Sequence, residues 1–167
     1  MRRVVVTGLG TINPLGNTVE SSWNSLINSN SGISKITKFD VQNYPCKIAG
    51  SIEDSQINNE IVSPREQRKI DRFITLGLIA ASEAINDSGF ISDNENTFRS
   101  GVMVGSGIGG LDTIYKNSSI LDNQGIKKIS PFFIPSSLIN LLSGHISIKY
   151  NLKVPNSSPV TACATGT

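Results

Sequence analysis

Two β-branched runs, each breaking into a glycine-rich loop ahead of a helical stretch, constrain this chain most. Residues 3–7 end in Gly8-Leu9-Gly10, and residues 101–104 end in Gly105-Ser106-Gly107-Ile108-Gly109-Gly110. β-Branched side chains suit a pleated, buried strand, and glycine permits the tight turn that must follow it. Both runs therefore read as strands feeding tight loops. After the first, Val19, Trp23, Leu26 and Ile27 mark one face of a helix, with Asn17 and Glu20 as its N-cap pair. Polar residues 28–36 read as a loop, and residues 47–52 as a short strand.

Ser63-Pro64-Arg65-Glu66 is a sharper signal, with Ser at the N-cap, Pro at the first helical position and Glu at N3. The segment after it carries Ile70, Phe73, Ile74, Leu76, Gly77, Ala80, Ala81, Ala84 and Ile85, which predicts a helix buried on most sides and stopped by Gly89. Leu111, Ile114, Tyr115 and Leu121 predict a helix ending near Gly125. An aromatic loop bracketed by prolines covers residues 129–135, and Ser137 is the expected cap of a helix stopped by Asn151. A last strand leads into Cys163. Alternating strands and helices predict a layered α/β architecture of βαβ type, its sheet left incomplete because the final strand-turn-helix is cut as its helix opens.

The 167 residues suffice for one domain with a real core, and no linker or low-complexity segment divides them. Hydrophobic residues make up 38%, charged residues 17%, and the net charge is +2. That charge gives no reason to expect nucleic acid or a membrane as partner. Two cysteines and one histidine exclude a disulfide framework and leave no metal-ligand spacing. Residues 1–8 reach glycine too soon for a signal peptide, and the longest apolar run, 73–81, is under half a membrane span. A reduced, cytoplasmic protein is the expectation.

Four features invite chemistry, and each has an ordinary reading beside it. Cys163 follows Ser158-Pro159-Val160-Thr161-Ala162 and precedes Ala164-Thr165-Gly166. This suits a thiol on a sharp strand-to-helix turn, where the N–H end of the helix favours thiolate; a lone cysteine is otherwise a buried apolar residue. His145 invites a pair with Cys163, but its helix neighbours Leu141, Leu142 and Ile146 make a structural histidine the default. Gly105, Gly107 and Gly110 satisfy Gly-x-Gly-x-x-Gly between a strand and a helix, yet the acidic residue a dinucleotide ribose needs about 20 residues on is missing. A tight loop passing close to other backbone accounts better for the glycines. Finally, Arg65, Arg68 and Lys69 share a face near a helix start, where positive charge opposes the macrodipole, and Lys127 and Lys128 add to it; solvated surface and an anionic partner both remain open.

Taken together, these motifs resemble the beta-ketoacyl (3-oxoacyl-acyl-carrier-protein) synthase family, the condensing enzymes of bacterial fatty acid synthesis. The likeness runs from Val4-Val5-Val6-Thr7-Gly8-Leu9-Gly10 and Gly16-Asn17-Thr18-Val19-Glu20-Ser21 through Glu66-Gln67-Arg68-Lys69 and Gly105-Ser106-Gly107-Ile108-Gly109-Gly110-Leu111. It continues in Lys128-Ile129-Ser130-Pro131-Phe132-Phe133 and Thr161-Ala162-Cys163, so residues 1–167 correspond to a synthase N-terminal domain, truncated at its C-terminal end. The resemblance implies a thiolase-like fold, here the N-terminal half of an α/β/α/β/α layering, and a homodimer. It implies Cys163 as the catalytic nucleophile, taking an acyl chain as a thioester before decarboxylative condensation with malonyl carrier protein. Ile108 and Phe133 match the family's acyl pocket. Arg65, Arg68, Lys69, Lys127 and Lys128 match the surface that docks acyl carrier protein, whose phosphopantetheine arrives with the substrate, so no cofactor or metal of the protein's own is expected.

By the same resemblance, two malonyl-site histidines, a supporting lysine and the second oxyanion donor lie beyond position 167. Loss of one such donor alone typically costs ~10²–10³ in rate. By itself the chain is expected not to complete a condensation. Two alternatives accompany this reading: an inactive remnant or module that binds carrier protein or synthase, and a nucleotide-binding α/β domain.

Overall fold

A computed structural model describes residues 3–166; Met1, Arg2 and Thr167, at the ends of segments discussed above, lie outside the described residues. In chain order the elements are α1 (Val19–Ile27), β1 (Ile33–Lys35), β2 (Ile48–Gly50), α2 (Pro64–Gln67), α3 (Arg72–Ser88), α4 (Asn94–Thr97), β3 (Val102–Met103), α5 (Leu111–Gln124), α6 (Phe133–Ser137), α7 (Asn140–Tyr150) and β4 (Asn156–Ser157). Short 3-10 turns occupy Asp54–Gln56, Ile126–Lys128 and Ala162–Gly166. The residues group into two compact units. One runs to Asn58 and adds Ile79–Gly89; the other comprises Asn59–Leu78 and the chain from Phe90 onward.

Within the first unit, residues 3–7 are not the buried strand the sequence predicts. They pair with no described strand, and Val4, Val5 and Val6 are 92%, 61% and 80% exposed. It is the loop after the run, residues 8–11, that lies against the helix α3. A Cβ on Gly8 would stand 2.2 Å from the Ala84 carbonyl oxygen, and one on Gly10 2.0 Å from that of Ala80, so glycine is what lets backbone lie on backbone. Two N–H groups of this loop go to carboxylates of the same helix. Leu9 N–H donates to Asp87 and Thr11 N–H to Glu83, each at 2.8 Å, and the other oxygen of Glu83 accepts from Val19 N–H at the start of α1. Positions 80, 83, 84 and 87 share a helix face, which is why small and acidic residues alternate along this seam.

The cap of α1 is Thr18 rather than Asn17. Its hydroxyl accepts from Ser21 N–H while the Ser21 hydroxyl accepts from Thr18 N–H, a reciprocal box that the Asn17–Glu20 pairing misplaces by one residue. The expected strand at 47–52 forms as β2. Its partner β1 lies inside the stretch read as a loop, antiparallel with Ile33 opposite Gly50. Three residues with little apolar pattern leave no periodic signal, and pairing alone makes the strand.

In the second unit the Ser63–Glu66 capping box forms as expected. The helix it opens nevertheless stops after Gln67, and a new one begins at Arg72. Asp71 causes the break. Its carboxylate accepts from Phe73 N–H (3.3 Å), competing with continuous helix, and the other oxygen accepts from the N–H (3.0 Å) and hydroxyl (2.6 Å) of Thr113. Thr113 is the third residue of α5, whose own N-cap, Gly110, offers no side chain. One carboxylate, 7% exposed, therefore caps two helices. Asp71→Ala is expected to cost about 3 kcal/mol, since it strands charge-assisted donors in the interior. A urea midpoint shifted by no more than a surface substitution would contradict this role.

The strand at 101–104 shortens to β3, which pairs in parallel with β4 across α5, α6 and α7, the βαβ connection the alternation predicts. Gly89 and Gly125 end their helices with positive φ, as does Asn151 in the left-handed region. Ser137 is not the cap of α7. It closes α6, its hydroxyl donating to the Phe133 carbonyl at 2.7 Å, while Ile139 stands at the N-cap. The proline-bracketed loop likewise becomes partly helical, because Phe133 opens α6. The core of this unit is Val62, Ile74, Leu78, Val102, Leu142, Ile146 and Leu152. Gly77 lets α7 approach α3 so closely that a Cβ there would meet Leu142 at 2.4 Å.

Candidate active site

After β4 the chain leaves the ladder, so the strand expected to run into Cys163 ends at Ser157. Ser158 then fastens the segment. Its hydroxyl donates to the Val104 carbonyl (2.7 Å) and lies 2.8 Å from the hydroxyl of fully buried Ser143, itself 2.9 Å from the Asn140 carbonyl. Three short contacts among the two hydroxyls and the two carbonyls tie this segment to Val104 and to α7.

Ala162 follows with φ +52°, a left-handed conformation that costs a non-glycine residue roughly 1–2 kcal/mol. The α-helix expected after Cys163 is, through Gly166, a single 3-10 turn. Ala164 N–H donates to the Thr161 carbonyl (3.2 Å), Thr161 N–H donates to the Thr165 hydroxyl (2.9 Å), and that hydroxyl donates to the Ala162 carbonyl (2.7 Å). Cys163 sits at the apex of this closed turn as a free, exposed thiol, not the buried residue of the ordinary reading. A hollow of about 550 Å³ beside it is lined by Met103, Val104, Gly105, Pro159, Thr161, Ala164, Thr165 and Gly166.

The glycine loop packs against this turn. A Cβ on Gly105 would meet the Pro159 carbonyl oxygen at 2.1 Å, and one on Gly107 the Ala162 carbonyl oxygen at 3.1 Å. Gly110 presses on Ser137, its N–H donating to the Ser137 carbonyl at 3.0 Å. These glycines admit the chain's own backbone, as the tight-loop reading expects. Ile108 is exposed on the loop, next to Gly107, and Phe133 opens the helix whose end Gly110 touches.

Here the comparisons decide the family. The model of the beta-ketoacyl synthase N-terminal domain matches residues 1–167. The chain belongs to the beta-ketoacyl synthase family. It is 47% identical to 3-oxoacyl-(acyl-carrier-protein) synthase 2 of Vibrio harveyi over 165 residues, covering 99% of this chain and 40% of that protein. It is 46% identical to the protein of that name from Coxiella burnetii, with the same coverage. The chain thus spans about 40% of the length of the curated relatives it matches. Among solved structures, a type II PKS ketosynthase in complex with its acyl-carrier protein superposes with TM-score 0.70 at 26% identity, over 98% of this chain and 42% of that one. A beta-ketoacyl synthase from Burkholderia phymatum gives TM-score 0.78 at 21% identity, over 99% and 41%. The thiolase-like α/β fold expected from the sequence therefore stands, with these residues as its N-terminal part.

Within this synthase domain the cationic residues come from two places in the chain. Arg65 lies on α2 and Arg68 at its end, while Lys127 and Lys128 occupy a 3-10 turn rather than a loop. Lys69, just beyond α2, stacks its ammonium 5.4 Å over the Phe132 ring, four residues after Lys128. All five cationic side chains are exposed.

His145 stands apart from Cys163. It lines a hollow of about 290 Å³ with Ile61, Val62, Glu66, Lys69, Ile70, Leu78, Ile148 and Lys149, none of which belongs to the cysteine turn. Burial holds its imidazolium below the ordinary value of 6.5, opposed in part by Glu66. The Ser63 hydroxyl and then its N–H, aided by Lys149 and His145, lower Glu66 below 4.5. Both groups bind fewer protons folded than unfolded, so stability rises with pH across each window. Urea midpoints are expected to fall as pH drops below about 6.5, and to fall again below about 4.5. His145→Gln should flatten the first slope and weaken the second only slightly, since Ser63 is the larger cause there; an unchanged first slope would count against a half-buried neutral imidazole.

Sequence reasoning missed Asp71 and Thr165. Asp71 left one signal, an acidic residue inside an otherwise apolar helical pattern. Thr165 left only its spacing of four from Thr161.

Proposed function

We propose that this chain is the acyl-accepting part of a cytoplasmic, homodimeric 3-oxoacyl-(acyl-carrier-protein) synthase of type II fatty acid synthesis. The observation that carries the reading is Cys163, an exposed thiol at the apex of a hydrogen-bonded turn behind a left-handed residue, in a chain of this family. Its sulfur attacks the carbonyl carbon of an acyl thioester on the carrier's phosphopantetheine. The new Cys163–acyl bond forms as the old carbon–sulfur bond breaks, and the carrier thiol leaves with the proton Cys163 gave up. Thioester exchange between thiols is nearly isoenergetic, so little driving force is needed. In the whole protein, malonyl carrier protein then loses carbon dioxide, and its carbanion takes the acyl group from Cys163, releasing the thiolate, which water can reprotonate.

Ile108 and Phe133 line the pocket for the acyl chain in this reading. Support comes from Gly107, the neighbour of Ile108, whose prospective Cβ would lie 3.1 Å from the Ala162 carbonyl oxygen; neither Ile108 nor Phe133 is among the residues that line the hollow at the cysteine turn. An apolar wall is what a fatty chain requires. Arg65, Arg68, Lys69, Lys127 and Lys128 form the docking surface for the carrier protein; their exposure and the Lys69–Phe132 stacking support a single cationic face. The related ketosynthase solved with its acyl-carrier protein supports the same class of partner.

The test is intact-mass spectrometry of the 167-residue chain after incubation with acyl-loaded carrier protein. A mass gain of one acyl group, located on Cys163, is expected. Carrier binding without acyl uptake would replace this reading with that of a docking module, and neither binding nor uptake would reject both.

A further inference from the structure

We infer that Thr165 is a positioning residue for Cys163, acting through its hydroxyl. This rests on the reading of Cys163 as acyl acceptor. A hydroxyl has one proton to donate and lone pairs to accept with, and Thr165 uses both kinds across the strained residue. It accepts the Thr161 N–H at 2.9 Å on one side of Ala162 and donates to the Ala162 carbonyl at 2.7 Å on the other. Ala162 is held at φ +52°, a conformation that persists only where its surroundings over-determine it. Cys163 is the next residue, so the angle at Ala162 sets the direction from which Sγ is presented. Without the hydroxyl, the turn loses both bonds that flank Ala162, leaving the longer 3.2 Å bond from Ala164 N–H to the Thr161 carbonyl on that side of the turn.

The rest of the side chain acts separately. Thr165 is half-buried while Thr161, Ala162, Cys163 and Ala164 are exposed, and its methyl group lies where a Cβ on Gly105 would meet it at 2.6 Å. The methyl seats the turn on the glycine loop, and the hydroxyl shapes it. Two substitutions separate the roles. Thr165→Val keeps the methyl and the β-branch but loses the hydroxyl, whereas Thr165→Ser keeps the hydroxyl and loses the methyl.

The experiment compares both variants with the unaltered 167-residue chain in two measurements. The first is hydrogen exchange at the Thr161 amide. The second is acylation of Cys163 by an acyl-pantetheine thioester, divided by the iodoacetamide alkylation rate of exposed Cys46 in the same molecules. Cys46 cancels differences in concentration and general thiol reactivity, and an unchanged urea midpoint in each variant is required to exclude unfolding of the second unit. In Thr165→Val, Thr161 exchange should rise and relative acylation fall by roughly tenfold each, the loss expected from one net hydrogen bond. Thr165→Ser should stay within about threefold of the unaltered chain in both. Equal losses in the two variants would assign the effect to the methyl contact and overturn the inference. Faster exchange in Thr165→Val with unaltered acylation would overturn it too. If the unaltered chain takes up no acyl group from the thioester or from carrier protein, the acyl-transfer reading itself fails, and the positioning role falls with it.

Discussion

Cys163→Ser is expected to reduce acyl uptake from loaded carrier protein to below about 1% of the unaltered chain, with no change in its urea midpoint. A neutral hydroxyl is a far weaker nucleophile than a thiol with a thiolate fraction, and no described base stands beside position 163 to activate it. His145, the chain's one imidazole, lines a different hollow with Glu66 and Lys149. Stability should not change because the side chain is exposed and the turn is closed by Thr165 and the backbone. Cys46 supplies the control. It too is a free, exposed thiol, its Sγ donating to the Ile48 carbonyl at 3.3 Å. Acyl groups found equally on Cys46 and Cys163, or surviving in Cys163→Ser, would mean that uptake is ordinary surface thiol exchange. Peptide mapping of the acylated chain decides between them.

Gly105→Ala is expected to destabilise the second unit by about 3 kcal/mol and to abolish acyl uptake along with it. The added Cβ would stand 2.1 Å from the Pro159 carbonyl oxygen and 2.6 Å from the Thr165 methyl carbon. Neither neighbour is the free end of a long side chain. Pro159 is backbone next to the Ser158–Val104 bond, and Thr165 holds the cysteine turn, so relief requires moving the nucleophile segment off the glycine loop. Gly144→Ala provides the contrast. That glycine lies inside α7 with nothing within 4 Å of its prospective Cβ, so alanine should stabilise by up to about 1 kcal/mol through lower unfolded-state entropy. Urea denaturation measures both. The same substitution giving the same sign at both positions would show that packing around Gly105 is looser than the structure has it.

These contrasts mark where the sequence is readable. Helix ends signalled by local chemistry were legible: Ser63 with Glu66, Gly89, Gly125 and Asn151 all act where the pattern places them, because a cap or a left-handed stop is a property of three or four adjacent residues. Features set by distant partners were not. The break between α2 and α3 depends on Thr113, 42 residues from Asp71, and β1 exists only because β2 pairs with it. Residues 3–7 show the converse. Their composition reports a strand preference, but a strand also needs a neighbour, and residues 3–7 pair with no described strand. The loop after them, through Leu9 and Thr11, is tied to Asp87 and Glu83 of α3.

The cysteine and its family follow from sequence alone, since the glycine loop, the cationic residues and Thr161-Ala162-Cys163 occur in a recognisable order that needs no coordinates. Whether that thiol is buried or presented was a tertiary decision. Exposure at the apex, the left-handed Ala162 and the two bonds of the Thr165 hydroxyl arise from atoms meeting in space. So does the separation of His145 into another hollow, which no spacing along the chain reports. Short-range signals survive in a linear sequence because covalent neighbours remain neighbours; long-range contacts enter it only as residue types, whose partners the fold selects.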